Sequence, residues 1–380
     1  MLRHLSAYLQ PILQACLLFP FVAALFTLPF LVFNYRKYGG VSMMRVITVY
    51  SFILYSMCAF LLTVLPLPSR EAVAAMPPKP IGWIPFHDLY VGLTKAGFDF
   101  SRPSTLANPA CWKAFFTSSD LFSVLANVVM QVPLGFYLRY YFRCGWKKTF
   151  WIGLGVSLFY ELTQLSGLFF IYPKPYRYAE VDDLIANTLG AMIGYGLTPL
   201  LAFWLPSREE MDRISYRKGE QVTWMRRAVA AVTDALLYGA VFAGGWAVSV
   251  NQSAGMAGMG CFVIYFVLIP WLTEGRTLGQ WLLRLRVARA DGTRPTPMNL
   301  LVRYALLYGV EPFALCSGAL FLAALAFALL SEGYTVPTRL LLVAVSALTI
   351  ALPLWVLLRC LGRWNTLPHN HFSRTAIRRG

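Results

Sequence analysis

The chain has 380 residues, 58% of them hydrophobic and 13% charged, with a mean hydropathy of +0.57. That composition excludes a soluble globule, and the apolar residues fall in blocks long enough to form membrane-spanning helices. The net charge of +16 would suit nucleic acid, but 24 of the 33 lysines and arginines lie in the segments 34–45, 139–148, 205–227, 273–303 and 359–380, between or after alternate apolar blocks. This is the positive-inside pattern of cytoplasmic loops, so the basic surface is expected to meet anionic lipid headgroups, with no nucleic-acid partner.

A bilayer-crossing helix needs roughly 17 to 25 mostly apolar residues. Blocks of this kind occur at 11–33, 46–66, 120–138, 149–171, 183–204, 228–249, 258–272, 304–330 and 338–358. The expected fold is therefore all-α, a polytopic transmembrane helix bundle of about nine spans in two units. The charge pattern places the protein in the cell membrane as a multi-pass chain with its C-terminus cytoplasmic and its N-terminus external. Pro20 and Pro29 interrupt the first block, so residues 1–44 read either as a span or as a re-entrant hairpin. The block is too long for a cleavable signal and lacks a small-residue cleavage site.

The polar stretch from Ser207 to Arg227 marks a junction between two membrane units. The expected domains are a 1–44 N-terminal segment, a membrane domain at 45–206, a cytoplasmic linker at 207–221, a second membrane domain at 222–358 and a basic tail at 359–380. No motif repeats between the halves, which gives no support to an inverted-repeat transporter. The segment 67–119 is rich in proline and aromatics, including Trp83-Ile-Pro-Phe86, and suits a headgroup layer or a lid. Seven scattered cysteines suggest neither a disulfide framework nor a zinc site. His87 beside Asp88 is too little for a metal site, and His369 and His371 read as a solvated pair; no metal or cofactor is expected.

Glu161 stands out because it lies within an apolar block. A carboxylate near the bilayer centre costs about 2.5 to 3.5 kcal/mol on the insertion scale, so it should face protein, a partner or water. Gln164, three residues on, shares its helix face. The block before carries Asn127 and Gln131, and the block after opens with Asp182 and Asp183 and continues with Asn187; Arg177 stands in the intervening loop. Gly190 and Gly194 form a small-xxx-small face that lets a neighbouring backbone come close. Convergence of these groups would make a polar chamber open to the outer face. Each also has a structural alternative. Asp182 and Asp183 stand where carboxylates cap helices, Arg177 suits a membrane interface, and the amides suit interhelical hydrogen bonds worth about 0.6 to 2 kcal/mol.

The order N-x5-P-x-G, E-x2-Q and R-x4-DD-x3-N-x2-G-x3-G between Asn127 and Gly194, preceded by Ile84-Pro85-Phe86, resembles the VanZ-like family over roughly 45–204. The resemblance implies that Asn127, Glu161, Gln164, Arg177, Asp182, Asp183 and Asn187 are the family's signature polar residues. It also implies a link to teicoplanin-type glycopeptide susceptibility, by a mechanism the family leaves open.

In the second half, Arg227, Ala230 and Asp234 follow R-x2-A-x3-D, which puts arginine and aspartate two turns apart on one helix face. Leu283-Arg-Leu-Arg-Val287 alternates as a strand or interfacial segment would, and Asp291-Gly292 is a turn signal. These features resemble the RDD family over roughly 222–310, with Arg227, Asp234 and Asp291 as the matching arginine and aspartates. An ion pair of Asp234 with Arg227 or Arg303 is the structural expectation, and Glu311 is a second acid that a transport route could use.

Three functions compete at this stage. The leading one is a non-catalytic envelope protein whose chamber engages membrane lipids, a lipid-linked precursor, or a lipoglycopeptide or similar amphiphile. The alternative is a proton- or cation-coupled secondary transporter. An enzyme ranks last: no catalytic residue is identified, and adjacent aspartates diverge by about 100° on a helix.

Overall fold

The computed structural model describes residues 2–77, 79, 81–248, 254–312 and 367–379. It divides into two units. Unit 1 comprises Met1–Phe26 with Ser42–Arg213, and unit 2 comprises Thr27–Val41 with Ile214–Gly380.

The first helix, α1 (Leu2–Tyr38), runs unbroken through Pro11, Pro20 and Pro29, so the re-entrant alternative for this segment is not what forms. Proline removes one backbone hydrogen bond per site, which long apolar helices tolerate where neighbouring groups re-satisfy the freed carbonyl. Next come α2 (Met43–Val64), three short helices α3 (Arg70–Ala75), α4 (His87–Lys95) and α5 (Pro109–Phe116), then α6 (Ser119–Tyr140) and α7 (Trp146–Leu165). A four-residue turn α8 (Gly167–Phe170) leads to α9 (Val181–Leu201), and α10 (Arg208–Gly219) occupies the polar junction.

Among the described residues, five helices are long and apolar enough to cross a membrane: Leu9–Tyr38, Met43–Val64, Ser119–Tyr140, Val181–Leu201 and Trp224–Gly244. They fall on the expected blocks 11–33, 46–66, 120–138, 183–204 and 228–249, and the chain is a multi-pass, all-α membrane protein. The expected block 149–171 is shortened, because α7 stops at Leu165. Gly167, Leu168, Phe169 and Phe170 all take positive φ, which turns the apolar Leu168–Ile171 run out of the helix. The block 258–272 is a shorter apolar helix. The span at 338–358 and most of 304–330 lie outside the described residues.

In unit 1 the tightest contact joins α6 and α9. A Cβ added to Gly190 would fall under 3.0 Å from the Val128 carbonyl, one on Gly194 from the Val132 carbonyl, and one on Gly135 from the Ala191 carbonyl. The two backbones therefore touch along parallel helices, as the small-residue spacing anticipates. α7 lies antiparallel on the other side of α9, with Gly153 against Ala191 and Ser157 against Asn187. α2 is tied to α6 by Tyr55 Oη to the Met130 carbonyl (3.0 Å) and Tyr137 Oη to Ser51 (2.9 Å). The segment 65–118 builds its own small core from Phe98, Cys111 and Phe115. It is stitched to the start of α9, where Gly82 N–H donates to the Ala179 carbonyl and Val181 N–H to the Gly82 carbonyl, both at 2.9 Å.

Unit 2 contains α11 (Trp224–Val248) and α12 (Ala254–Val263), the latter continuing through a π-helical turn, Ile264–Leu268, into α13 (Ile269–Leu272). It goes on with α14 (Leu278–Leu282), β1 (Leu285–Arg289) and α15 (Pro297–Ala305), and its last described elements are α16 (Pro368–Ser373) and β2 (Thr375–Arg379). β1 and β2 pair antiparallel, Leu285 opposite Arg379 and Arg289 opposite Thr375. The alternation at Leu283–Val287 thus marks a real strand, but its partner is the C-terminal segment. Residues 367–379 consequently do not form a free basic tail. Ile377 packs against both hydrophobic clusters of the unit, and His369 is buried while His371 stays exposed. The expected solvated histidine pair is corrected here: an apolar Leu367 and Ile377 carry the segment inward, and His369 goes with them.

Candidate functional site

A cavity of about 740 Å³ opens between the ends of α2, α6, α7 and α9 that face the 65–118 segment. Its polar lining includes Asn127, Glu161, Gln164, Arg177, Asp183 and Asn187, six of the eight side chains singled out in this half of the sequence. Leu62, Leu65, Phe122, Leu125, Val129 and Met130 supply apolar walls. Arg177 is the single cation among the described residues of the lining, which also holds two carboxylates.

Hydrogen bonds fix most of these groups. Glu161 accepts the backbone N–H of Glu180 through Oε2 (2.9 Å), which ties α7 to the residue that begins α9. Asn127 Nδ2 donates to Asp183 Oδ1 (2.5 Å), joining α6 to α9. Asn187 Nδ2 donates to Ser157 Oγ (2.9 Å), and Ser157 donates in turn to the Asp183 carbonyl (3.2 Å). Gln164 Nε2 and Arg177 both donate to the Thr63 carbonyl (3.0 Å each), and Arg177 also bonds the Leu65 carbonyl. These carbonyls end α2 and have no intrahelical donor, so the guanidinium acts as a C-terminal cap as well as a charge beside the cavity. The oxygens Gln164 Oε1 and Asn187 Oδ1 are buried without a hydrogen-bond partner among the described residues. For Gln164 the amide orientation is dictated by the carbonyl its nitrogen must meet.

Two expected members lie elsewhere. Asp182 turns to the 65–118 segment and accepts the backbone N–H groups of Phe86 (2.5 Å) and Asp88 (2.9 Å). It caps α4 from a distance; Phe86 itself sits in a left-handed conformation and offers no cap. Gln131 is one turn below Asn127, almost completely buried, and lines a separate aromatic cavity of about 450 Å³ with Tyr55, Phe60 and Tyr160. Glu161 is also shallower than the apolar run implies, since α7 ends four residues after it. What shields it is the chain turning back over it at Glu180.

Sequence reasoning missed Ser157, Glu180 and Asp88. Ser157 is one helical turn before Glu161, a spacing that could have flagged it. Glu180 and Asp88 come together only because the Gly82 bridge brings their segments side by side. Burial, then the neighbouring carboxylates of Asp88, Asp183 and Asp182, push the Glu180 carboxyl up to about 7. Among the described residues, no group of three or more His, Cys, Asp or Glu stands close enough to hold a metal.

In unit 2, Arg227 and Asp234 line one small cavity, and Asp291 lies apart from them. Asp234 is buried and accepts from Thr277 Oγ1 (2.5 Å), Gly279 N–H (2.7 Å) and Tyr265 Oη (2.9 Å). The expected ion pair with Arg227 or Arg303 is absent among the described residues; neutral donors on α14 and the π-helical turn satisfy the carboxylate instead. The close approach of Gly279 to the Asp234 carboxyl requires a residue without a side chain. Asp291 is exposed and accepts the Thr293 N–H (2.9 Å) and hydroxyl (2.6 Å), which hold its carboxyl below the usual range and make it a turn residue. Glu311 accepts the His369 N–H (2.9 Å) and meets its ring Nδ1 (3.0 Å).

Family models match both halves: VanZ/LLP1 at residues 52–202 and the RDD family at 222–337. The chain thus carries a VanZ/LLP1 match in its first unit followed by an RDD match in its second. No curated protein and no solved structure matches it. The cavity belongs wholly to the VanZ/LLP1 match apart from Pro11 and Ile12 of α1, and Arg227 and Asp234 fall within the RDD match.

Proposed function

We propose that the VanZ/LLP1 unit binds the polar head of an amphiphile, a lipid-linked precursor, a membrane lipid or a lipoglycopeptide, from the external face of the membrane, and so modulates teicoplanin-type glycopeptide susceptibility. The observation that carries this reading is the union of apolar walls with one guanidinium, two carboxylates and three amides around a single cavity. Such a lining suits a ligand with an apolar tail and a polar head that carries both acceptors and donors. Trp83, Ile84 and Phe86 are exposed beside Asp182, where aromatic side chains suit a headgroup layer.

Proton- or cation-coupled transport is the second reading, favoured by buried carboxylates in both units, Glu161 and Asp182 in the first and Asp234 and Glu311 in the second. It has less support in the VanZ/LLP1 unit, because glycine contacts close α6 against α9 below Asn187.

The test is ligand-dependent thermal stabilisation of the purified chain in nanodiscs, with teicoplanin and with an undecaprenyl-linked precursor. Glu161→Gln should fold and keep its resting Tm, yet lose the stabilisation and any resistance phenotype. An unchanged response in Glu161→Gln and in Arg177→Met would remove the cavity from the function. Proton-coupled flux in proteoliposomes that disappears in Glu161→Gln or Asp234→Asn would favour transport instead.

A further inference from the structure

We propose that the RDD unit holds a small inorganic anion, of chloride to phosphate size, between Arg303 and Arg227. Arg303 is fully buried. Its NH1 donates to Asn370 Oδ1 (2.6 Å) and Thr375 Oγ1 (3.0 Å), both neutral acceptors, whereas Nε and NH2 have no hydrogen-bond partner among the described residues. Guanidinium does not deprotonate in proteins, so a full positive charge is buried here with one bonding edge empty. Buried charges are stable when paired, and an uncompensated one is strongly destabilising.

The two nearby carboxylates are engaged elsewhere. Asp234 is taken up by Tyr265, Thr277 and Gly279, and Glu311 by His369. A cavity of about 60 Å³ lies against Arg303 and Arg227, with Asp234, Gln280, His369 and Asn370 completing its polar wall. A buried water needs roughly 10 to 15 Å³ of such volume, so there is room for several waters or for one tetrahedral oxyanion. The Glu311 carboxylate acts on Arg303 through space but among the described residues bonds only His369, and water would meet the empty N–H groups without bringing a charge into contact with them. An anion does both, and the Nε/NH2 edge is the fork that guanidinium presents to oxyanions. Among the described residues, Arg227 adds a second positive group to the wall and Asp234 a negative one.

The site also explains how a C-terminal segment comes to be anchored on a buried arginine. Asn370 and Thr375 hold one edge of Arg303 while the anion neutralises it, so anion binding and docking of residues 367–379 are linked. The experiment uses the full chain in detergent at constant ionic strength, with chloride, bromide or phosphate exchanged against gluconate, which is too large for the cavity. Chloride or phosphate should raise Tm saturably and slow amide exchange in residues 375–379 at least several-fold; gluconate should do neither. Arg303→Lys, which keeps the charge without the fork, should flatten that dependence, and Arg227→Gln should shift its midpoint to higher anion concentration by about tenfold. If Arg303→Lys does not fold, the wild-type series and Arg227→Gln decide the matter. Stability and exchange that follow ionic strength alone, identical in chloride, phosphate and gluconate, would mean that only water fills the cavity and would overturn the proposal.

Discussion

Replacing Gly194 by alanine tests how the cavity is held open. The new methyl would fall within 3.0 Å of the Val132 carbonyl oxygen, whereas ordinary contact begins at 3.4 Å. The obstacle is backbone, which cannot rotate aside, so α6 and α9 must part by roughly 1 Å or fold in a shifted register. Alanine in a helix interior gains about 1 kcal/mol over glycine, and overpacking costs about 1 to 3 kcal/mol, sometimes more. Separation also lengthens the Asn127 to Asp183 bond that crosses this interface, worth about 1.5 to 3 kcal/mol as a charge-assisted hydrogen bond. The expected net effect is a loss of about 2 kcal/mol, read as a lower Tm in nanodiscs and as weaker ligand stabilisation. Gly196→Ala is the control, since a methyl there meets nothing within 4 Å and should be neutral or slightly stabilising. Equal stability of Gly194→Ala and Gly196→Ala would refute the backbone contact and, with it, the packing that aligns the cavity walls.

Two further outcomes follow from the acids around α9. Asp182→Ala should remove the distant cap on α4 and cost about 2 kcal/mol, with faster amide exchange at Phe86 and Asp88; unchanged exchange there would show that Asp182 does not hold the segment. Glu180 has a folded-state carboxyl pushed up to about 7 from 4.5, so the folded chain binds more protons between those values and its stability falls as pH rises through that window. Glu180→Gln should match the wild type near pH 4 and exceed it at pH 8 by on the order of 1 kcal/mol after allowance for solvent screening. A difference that does not vary with pH would show that Glu180 is not titrating there.

Helices and their order could be read from the chain because a membrane span is a local property: it needs a run of apolar residues of sufficient length, and each run carries that information itself. The same holds for the Gly190 and Gly194 face, whose spacing alone predicts a close helix contact. The end of α7 was not legible, since Leu168–Ile171 is as apolar as the helix before it and only the positive φ at Gly167–Phe170 turns it outward. Asp182 and Asp183 show the limit most clearly. Adjacent in sequence and alike in chemistry, they separate by the helical twist, one to cap α4 and the other to meet Asn127.

By itself the sequence determined that this is a membrane bundle of two unlike units and that polar side chains at helix-facing spacings gather in the first. Tertiary structure alone decided which of them share a cavity, that Asp234 is held by hydroxyls and an amide, and that the C-terminal segment returns to pair with β1. The physical reason is that hydrophobic runs and helical periodicity act over a few turns, whereas a buried polar group takes whichever partner the packing of distant segments brings within hydrogen-bond reach.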